Sequence, residues 1–165
     1  MVSLTPFINQ ICLWIFASLL IVAAWSDAID FTIPNRLVIG LLVLYPAYVM
    51  TPAHPVAWPM ALAVATGILA VGLILYGTAK LGAGDVKLIA ATSVWAGADH
   101  TLDFLLLTAI AGGVVSMVLI VRNNYGWVIG RPPGENPAKQ VPYGVAIAIG
   151  GMFVAAKLII NAHAV

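Results

Sequence analysis

The sequence is poor in charged residues, with 7 Lys or Arg and 6 Asp or Glu among 165 residues, a charged fraction of 8%. Soluble domains carry about 25% charged residues, so a water-soluble fold of this size could not cover its surface. The net charge of +1 also excludes the basic footprint with which proteins bind nucleic acid. Since 62% of the residues are apolar, the chain is expected to be an integral membrane protein in contact with the lipid bilayer.

Cysteines and clusters of metal ligands are also scarce. The one cysteine, Cys12, lies in an apolar run, which excludes a disulfide framework and a zinc-ligand set. The histidines at positions 54, 100 and 163 are scattered, and none has a ligating partner at helical spacing. We therefore expect neither a metal nor a cofactor.

Long uncharged stretches predict six membrane-spanning helices, since one span needs about 20 predominantly apolar residues. Two prolines within residues 51–55 divide the longest stretch into two spans. The fourth span is short, because residues 88–98 between two charged positions cover about 16 Å of helix. It either crosses a thinned bilayer or begins near Thr78. The expected spans are one centred on Ile8–Trp25, then Leu37–Met50, Val56–Tyr76, this short fourth span, Phe104–Val121 and Val141–Ile160, in an all-α polytopic fold with a single domain over residues 1–165.

Basic residues concentrate at one membrane face in this arrangement. Because loops rich in Lys and Arg stay in the cytoplasm, that face is expected to be cytoplasmic, with both termini outside. Loops on the opposite face hold Asp99 and Asp103, and Lys157 lies near that face; none of the three has an assigned role. Six of the seven basic residues lie on the cytoplasmic side: Arg36, Lys80, Lys87, Arg122, Arg131 and Lys139.

Glycines and tryptophans within the spans are interpreted structurally. We expect the glycines to let helices pack closely and the tryptophans to form belts at the membrane surfaces, neither group being catalytic. The glycines are Gly67, Gly72, Gly112, Gly113, Gly150 and Gly151, and the tryptophans are Trp14, Trp25, Trp58, Trp95 and Trp127.

Two aspartates, 58 residues apart in the chain, are expected at the cytoplasmic face. Asp27 ends the first span, and Asp85 begins the fourth. Two carboxyl groups in a low-dielectric site cannot both ionise, so one takes a proton from water while the other donates to a carbonyl oxygen. Such a pair can hydrolyse a peptide bond without a covalent intermediate. Gly82 and Gly84 would let a backbone or a substrate strand approach Asp85 closely.

Structural readings of the same residues exist. A helix dipole alone favours an acidic residue at the position of Asp85, and Asp27 and Asp30 could simply mark the end of a span. Asp30 could instead adjust the charge state of Asp27, and Lys87 could orient Asp85, attract a substrate or reach the headgroups. Acids at the membrane edge are costly and usually functional, so the pair together favours catalysis.

Three motifs resemble those of a known family. Gly82-Ala83-Gly84-Asp85-Val86-Lys87 is similar to the GxGDxK signature of prepilin peptidases, the membrane aspartic proteases that process type IV pilin precursors. Asp27 followed by Ile33-Pro34-Asn35 resembles the other half of that signature, and Pro142-Tyr143-Gly144 resembles a Pro-Phe/Tyr-Gly motif of the same family.

The resemblance implies that Asp27 and Asp85 are the catalytic pair of an aspartic endopeptidase. It implies a prepilin substrate whose leader is cleaved at the cytoplasmic face of the bacterial inner membrane. Among shorter forms, the chain looks like those found with tight-adherence (Flp-type) pili, without an N-terminal cytoplasmic methyltransferase-type domain. Residues expected to shape the site are Gly82, Gly84, Lys87, Asp30, Pro34 and Asn35.

Other functions fit the same pair of acids. An intramembrane aspartic protease could act on a different substrate, and a small transporter or proton-conducting bundle could use the aspartates to bind a cation. A non-catalytic scaffold for pilus assembly would need neither carboxylate. The oligomeric state has no signature in the sequence.

Overall fold

The chain folds into helices throughout the residues that the computed structural model describes, which are 5–51, 56–78, 81–128 and 141–163. The five helices are α1 (Thr5–Asp30), α2 (Asn35–Met50), α3 (Trp58–Gly77), α4 (Ala83–Val128) and α5 (Tyr143–His163). No strand occurs in these ranges, which confirms the all-α prediction.

Four of the helices contain stretches long and apolar enough to cross a membrane: Phe7–Asp30, Trp58–Gly77, Ala83–Val121 and Tyr143–Ala162. The remaining helix, α2, has 16 residues and is shorter than a usual span. The count of six spans and the sides of the termini remain predictions.

Helix α4 changes direction at Gly97, whose φ of 61° and ψ of −170° are not helical. This conformation is essentially restricted to glycine, because any side chain would clash with the backbone. The fourth and fifth expected spans are therefore the two segments of α4, which meet at Gly97. Asp99 and Asp103 were expected in a loop, and this was wrong, since both follow Gly97 in helical conformation.

The helix directions follow from the residues that meet across the bundle. Gly144 at the start of α5 contacts Asp27 near the end of α1. Gly151, farther along α5, faces Leu20, so α1 and α5 are antiparallel. Gly150 faces Phe104 in the second segment of α4, which therefore lies beside α5.

Glycines set the closest helix contacts. A Cβ atom on Gly150 would lie 2.8 Å from the carbonyl oxygen of Phe104, and one on Gly72 would lie 2.7 Å from a methyl group of Val86. The expectation of close packing is confirmed at these positions and at Gly151. At Gly67 and Gly113 it was wrong, because an added Cβ would meet nothing within 4 Å.

An aromatic cluster lies in the core near the C-terminal end of α2. Trp95 is 2% exposed, stacks on Phe16 with ring centroids 4.4 Å apart, and donates from Nε1 to the carbonyl oxygen of Leu41 at 3.1 Å. Its expected place in a membrane-surface belt was wrong, because the indole N–H finds a buried acceptor. Trp14 and Trp25 are exposed, as residues facing lipid are.

Several predictions concern residues outside the described ranges. These are most of the turn at residues 51–55, which includes His54, and the basic residues Lys80, Arg131 and Lys139. The side chains of Arg122 and Trp127 are also outside them.

Candidate active site

Asp27 lies near the end of α1 and contacts the start of α5. Its side chain is 5% exposed, and Oδ2 accepts a hydrogen bond from the backbone N–H of Gly144 at 2.6 Å. Gly144 is the second residue of α5, so the carboxylate also lies at the positive end of a helix dipole. A Cβ atom at Gly144 would lie 2.8 Å from both Cβ and Oδ2 of Asp27. The close approach of the two helices therefore requires glycine.

Gly144 was not among the candidate site residues derived from the sequence. The Pro142-Tyr143-Gly144 motif drew attention only through a resemblance and carried no chemical role. A short-range pattern could not reveal its partner, because Asp27 is 117 residues away.

Asp85 is the third residue of α4, and its side chain reaches back to Gly82, the residue before the helix. The N–H of Val86 donates to the carbonyl oxygen of Gly82 at 3.1 Å, which begins the helix. A Cβ atom on Gly82 would lie 2.8 Å from Oδ2 of Asp85, so this close approach requires glycine. The helix dipole also favours an acidic residue in the first turn of α4.

The two carboxyl groups belong to one site. Both residues lie at the same end of the bundle, because Gly84, the neighbour of Asp85, lies against Ile33 in the turn that follows α1. The structure therefore brings together the two aspartates that the charge pattern predicted at one face.

A short turn between α1 and α2 contacts the start of α4. A Cβ atom on Gly84 would lie 3.2 Å from Cβ of Ile33 and 3.6 Å from its backbone nitrogen. Pro34, in extended conformation with φ of −62° and ψ of 133°, precedes α2 and accepts a hydrogen bond from the N–H of Leu37 at 3.0 Å. The close backbone approach expected at Gly84 is present, and its partner is this turn.

The turn itself begins with a strained residue. Phe31 has a φ of 51°, in the left-handed region that bulky residues avoid. Its N–H donates to the carbonyl oxygen of Asp27 at 3.0 Å, and the hydroxyl of Ser26 donates to the carbonyl oxygen of Thr32 at 2.8 Å. These bonds let the chain reverse within a few residues of Asp27.

Lys87 and Asn35 connect the two halves of the site. The ammonium of Lys87 donates to Oδ1 of Asn35 at 3.2 Å, across an exposed surface between α4 and α2. The sequence singled out both residues but did not pair them. Asp30 is the last residue of α1, and its side chain is exposed.

The described residues contain no group of three or more His, Cys, Asp or Glu side chains that could hold a metal ion. The chemistry available at this end of the bundle is that of two carboxyl groups, each beside a helix N-terminus. One protonated and one ionised carboxyl group can together act as general acid and general base on a bound water.

The chain is similar to known leader peptidases. A family model described as the type IV leader peptidase family matches residues 14–117, which is more than half of the chain and includes Asp27 and Asp85. A protein of Xanthomonas campestris pv. campestris, named prepilin leader peptidase/N-methyltransferase, is 27% identical over 128 residues. That alignment covers 74% of this chain but 41% of the relative, so the chain spans less than half of the relative's length. No solved structure matches the chain.

Proposed function

The chain belongs to the type IV leader peptidase family, and on that premise we propose that it is a membrane-embedded aspartic endopeptidase. Its substrate is a type IV (Flp-like) prepilin, cleaved between leader and mature segment at the cytoplasmic face of the bacterial inner membrane. The observation that carries the proposal is the position of Asp27 and Asp85 at one end of the bundle. Oδ2 of Asp27 accepts a hydrogen bond from the N–H of Gly144 at 2.6 Å, and Gly84, next to Asp85, lies against Ile33 in the turn that follows α1.

In the proposed reaction the two carboxyl groups share one proton. The ionised group removes a proton from a water molecule, whose oxygen attacks the scissile carbonyl carbon, while the protonated group donates to the carbonyl oxygen. The resulting tetrahedral diol collapses as the C–N bond breaks, and a proton passes to the leaving amine. The products are a free carboxylate on the leader and a free amine on the mature chain.

The proposed orientation rests on charge. Arg36 and Lys87 lie at the same end of the bundle as the aspartates, whereas Asp99 and Asp103 follow the turn at Gly97. The positive-inside rule then places the aspartates at the cytoplasmic surface. In this proposal the two segments of α4 cross the membrane in opposite directions, giving six spans with both termini outside.

The test is to change Asp27→Asn and Asp85→Asn singly and to follow a co-expressed prepilin by its shift in gel mobility. Asparagine has nearly the size of aspartate and keeps an oxygen that can accept the Gly144 hydrogen bond at position 27, so membrane insertion and folding are expected to persist. Processing should be lost in both variants. The matched control is Asp103→Asn, an exposed acid beyond the Gly97 turn, which should process normally.

Each rival function predicts a different result. Full processing in either aspartate variant would refute the dyad. A transporter would lose ion flux in these variants with no difference in cleavage, and a scaffold would tolerate both substitutions.

A further inference from the structure

A second polar site lies at the end of the bundle opposite Asp27. A cavity of about 330 Å³ opens there between the start of α1, the ends of α2 and α5, and the Gly97 turn. Asn9, which lines it, precedes Asp27 by 18 residues, or about 27 Å along α1. The cavity is therefore separate from the aspartate pair.

Two buried polar groups in this cavity have no partner among the residues that the structure describes. Asn9 is 2% exposed and Tyr45 is 6% exposed, and no described residue forms a hydrogen bond with Nδ2 of the amide or with the phenol oxygen. Buried donors are normally satisfied, because leaving one unpaired forfeits its hydrogen bonds to water. Both side chains line the same cavity, so a single occupant could satisfy both.

The character of the lining restricts the chemistry of an occupant. Among the described residues that line the cavity, Asp99 is the only Asp, Glu, Lys or Arg and His100 is the only histidine, so no Lys or Arg side chain is present to hold a phosphate or a carboxylate. An apolar occupant would leave both buried groups unpaired.

A cationic occupant also fits poorly. The deep unpaired group of Asn9 is a donor, which cannot bind an ammonium hydrogen. The aromatic rings nearby face one another: Trp95 stacks on Phe16 and meets Tyr45 edge-on at 5.5 Å, so they do not form an open cage.

We propose that this cavity binds a small neutral molecule bearing several hydroxyl groups, about the size of one hexose. One ligand oxygen accepts hydrogen bonds from Asn9 Nδ2 and Tyr45 Oη, and a second hydroxyl donates to the carboxylate of Asp99 at the rim. The volume lies within the range of small-molecule sites. The source is either a free sugar or polyol in the aqueous phase, or the sugar headgroup of a neutral glycolipid.

The test uses the whole chain purified in lauryldimethylamine oxide, a detergent without a sugar. Methyl β-D-glucopyranoside is titrated in, and the thermal unfolding midpoint is followed. The midpoint is expected to rise with the logarithm of ligand concentration above Kd, by about 3 °C at tenfold excess. Glucose 6-phosphate, which presents the same ring with an anion, should give no such rise. In a parallel arm, the protein is placed in nanodiscs with and without monoglucosyl diacylglycerol.

Two variants connect any effect to the cavity. Tyr45→Phe removes one hydroxyl, and Asn9→Leu replaces the amide with an apolar group of similar size; both should weaken binding and reduce the shift at a given ligand concentration. Tyr76→Phe is the matched control, since Tyr76 is 50% exposed on α3 and does not line the cavity, and it should keep the shift.

The outcomes separate the alternatives. A shift with the soluble glucoside supports a free ligand, and a shift only in glycolipid nanodiscs supports a lipid source. No concentration-dependent shift in either arm, or an equal shift in Tyr45→Phe and the unchanged protein, would overturn the proposal and leave water as the occupant. Because no part of this test measures peptidase activity, its failure is distinct from failure of the proposed protease function.

Discussion

The backbone N–H of Gly144 donates to Oδ2 of Asp27 at 2.6 Å, and this bond joins residues 117 positions apart. It fixes the position of one carboxylate of the proposed dyad from outside its own helix. A hydrogen bond to a charged acceptor contributes about 1.5–3 kcal/mol, so the geometry of Asp27 depends measurably on α5.

Replacing Gly144 with alanine should therefore slow cleavage. The new Cβ would lie 2.8 Å from Oδ2 of Asp27, and either the carboxylate or α5 must move. We expect Gly144→Ala to lower the initial rate at least about tenfold, which corresponds to about 1.4 kcal/mol. The measurement is the rate of leader removal from a purified prepilin. Gly113→Ala is the control, because its Cβ meets nothing within 4 Å, and a wild-type rate in Gly144→Ala would contradict the role given to the bond.

Substitutions of Lys87 and Asn35 are expected to have coupled effects on the cleavage rate. An exposed hydrogen bond of this kind contributes about 1 kcal/mol or less, so Lys87→Met and Asn35→Leu should each change the cleavage rate less than about fivefold. If the residues act through each other, the double variant should be no slower than the slower single variant. Additive losses in the double-mutant cycle would show that Lys87 acts separately, for instance on the substrate.

The contact between α3 and α4 can be tested by stability alone. Gly72→Ala would bring a Cβ within 2.7 Å of a Val86 methyl group and should lower the free energy of unfolding by about 1–3 kcal/mol. Val86→Ala in the same chain should recover part of that loss. Gly67→Ala, on the same helix with open space around it, should change stability by less than about 0.5 kcal/mol. Unfolding in mixed micelles with increasing dodecyl sulfate measures all four chains, and equal losses from Gly67→Ala and Gly72→Ala would refute the packing explanation.

A substitution at Gly97 tests the effect of backbone strain without a change in packing. An added Cβ would meet nothing within 4 Å, yet φ is 61° and ψ is −170°. Gly97→Ala should therefore destabilise the fold by about 1–3 kcal/mol through conformation alone. The same micelle titration checks it, with Gly113→Ala as the comparison. An unchanged midpoint for Gly97→Ala would mean that the turn tolerates another conformation.

Much of the fold could be predicted from the distribution of charge. Long uncharged stretches gave the helices, and the basic residues gave the shared face of Asp27 and Asp85. The change of direction after the fourth span was expected in a loop holding Asp99 and Asp103, and it occurs at Gly97. Charged residues mark the polar ends of a span, but they do not show at which residue the backbone changes conformation. Trp95 was placed at the surface because composition does not reveal the carbonyl of Leu41 that accepts its N–H.

The details of the site were harder to predict from the sequence. Gly82, Gly84 and Asn35 were found because they lie near the aspartates in the sequence or share their motifs. Gly144 and Asn9 were not, since their importance depends on a partner, or on a missing partner, that only the assembled helices determine.

The bond from Gly144 also has a consequence for biosynthesis. Both aspartates are translated well before residue 144, so a nascent chain carries the whole dyad while Asp27 still lacks its backbone donor. Since α5 supplies that donor, the site reaches its final geometry only after this helix has entered the bundle. A growing chain would thus contain both carboxylates in an unfinished arrangement, and cleavage activity would begin with the insertion of α5.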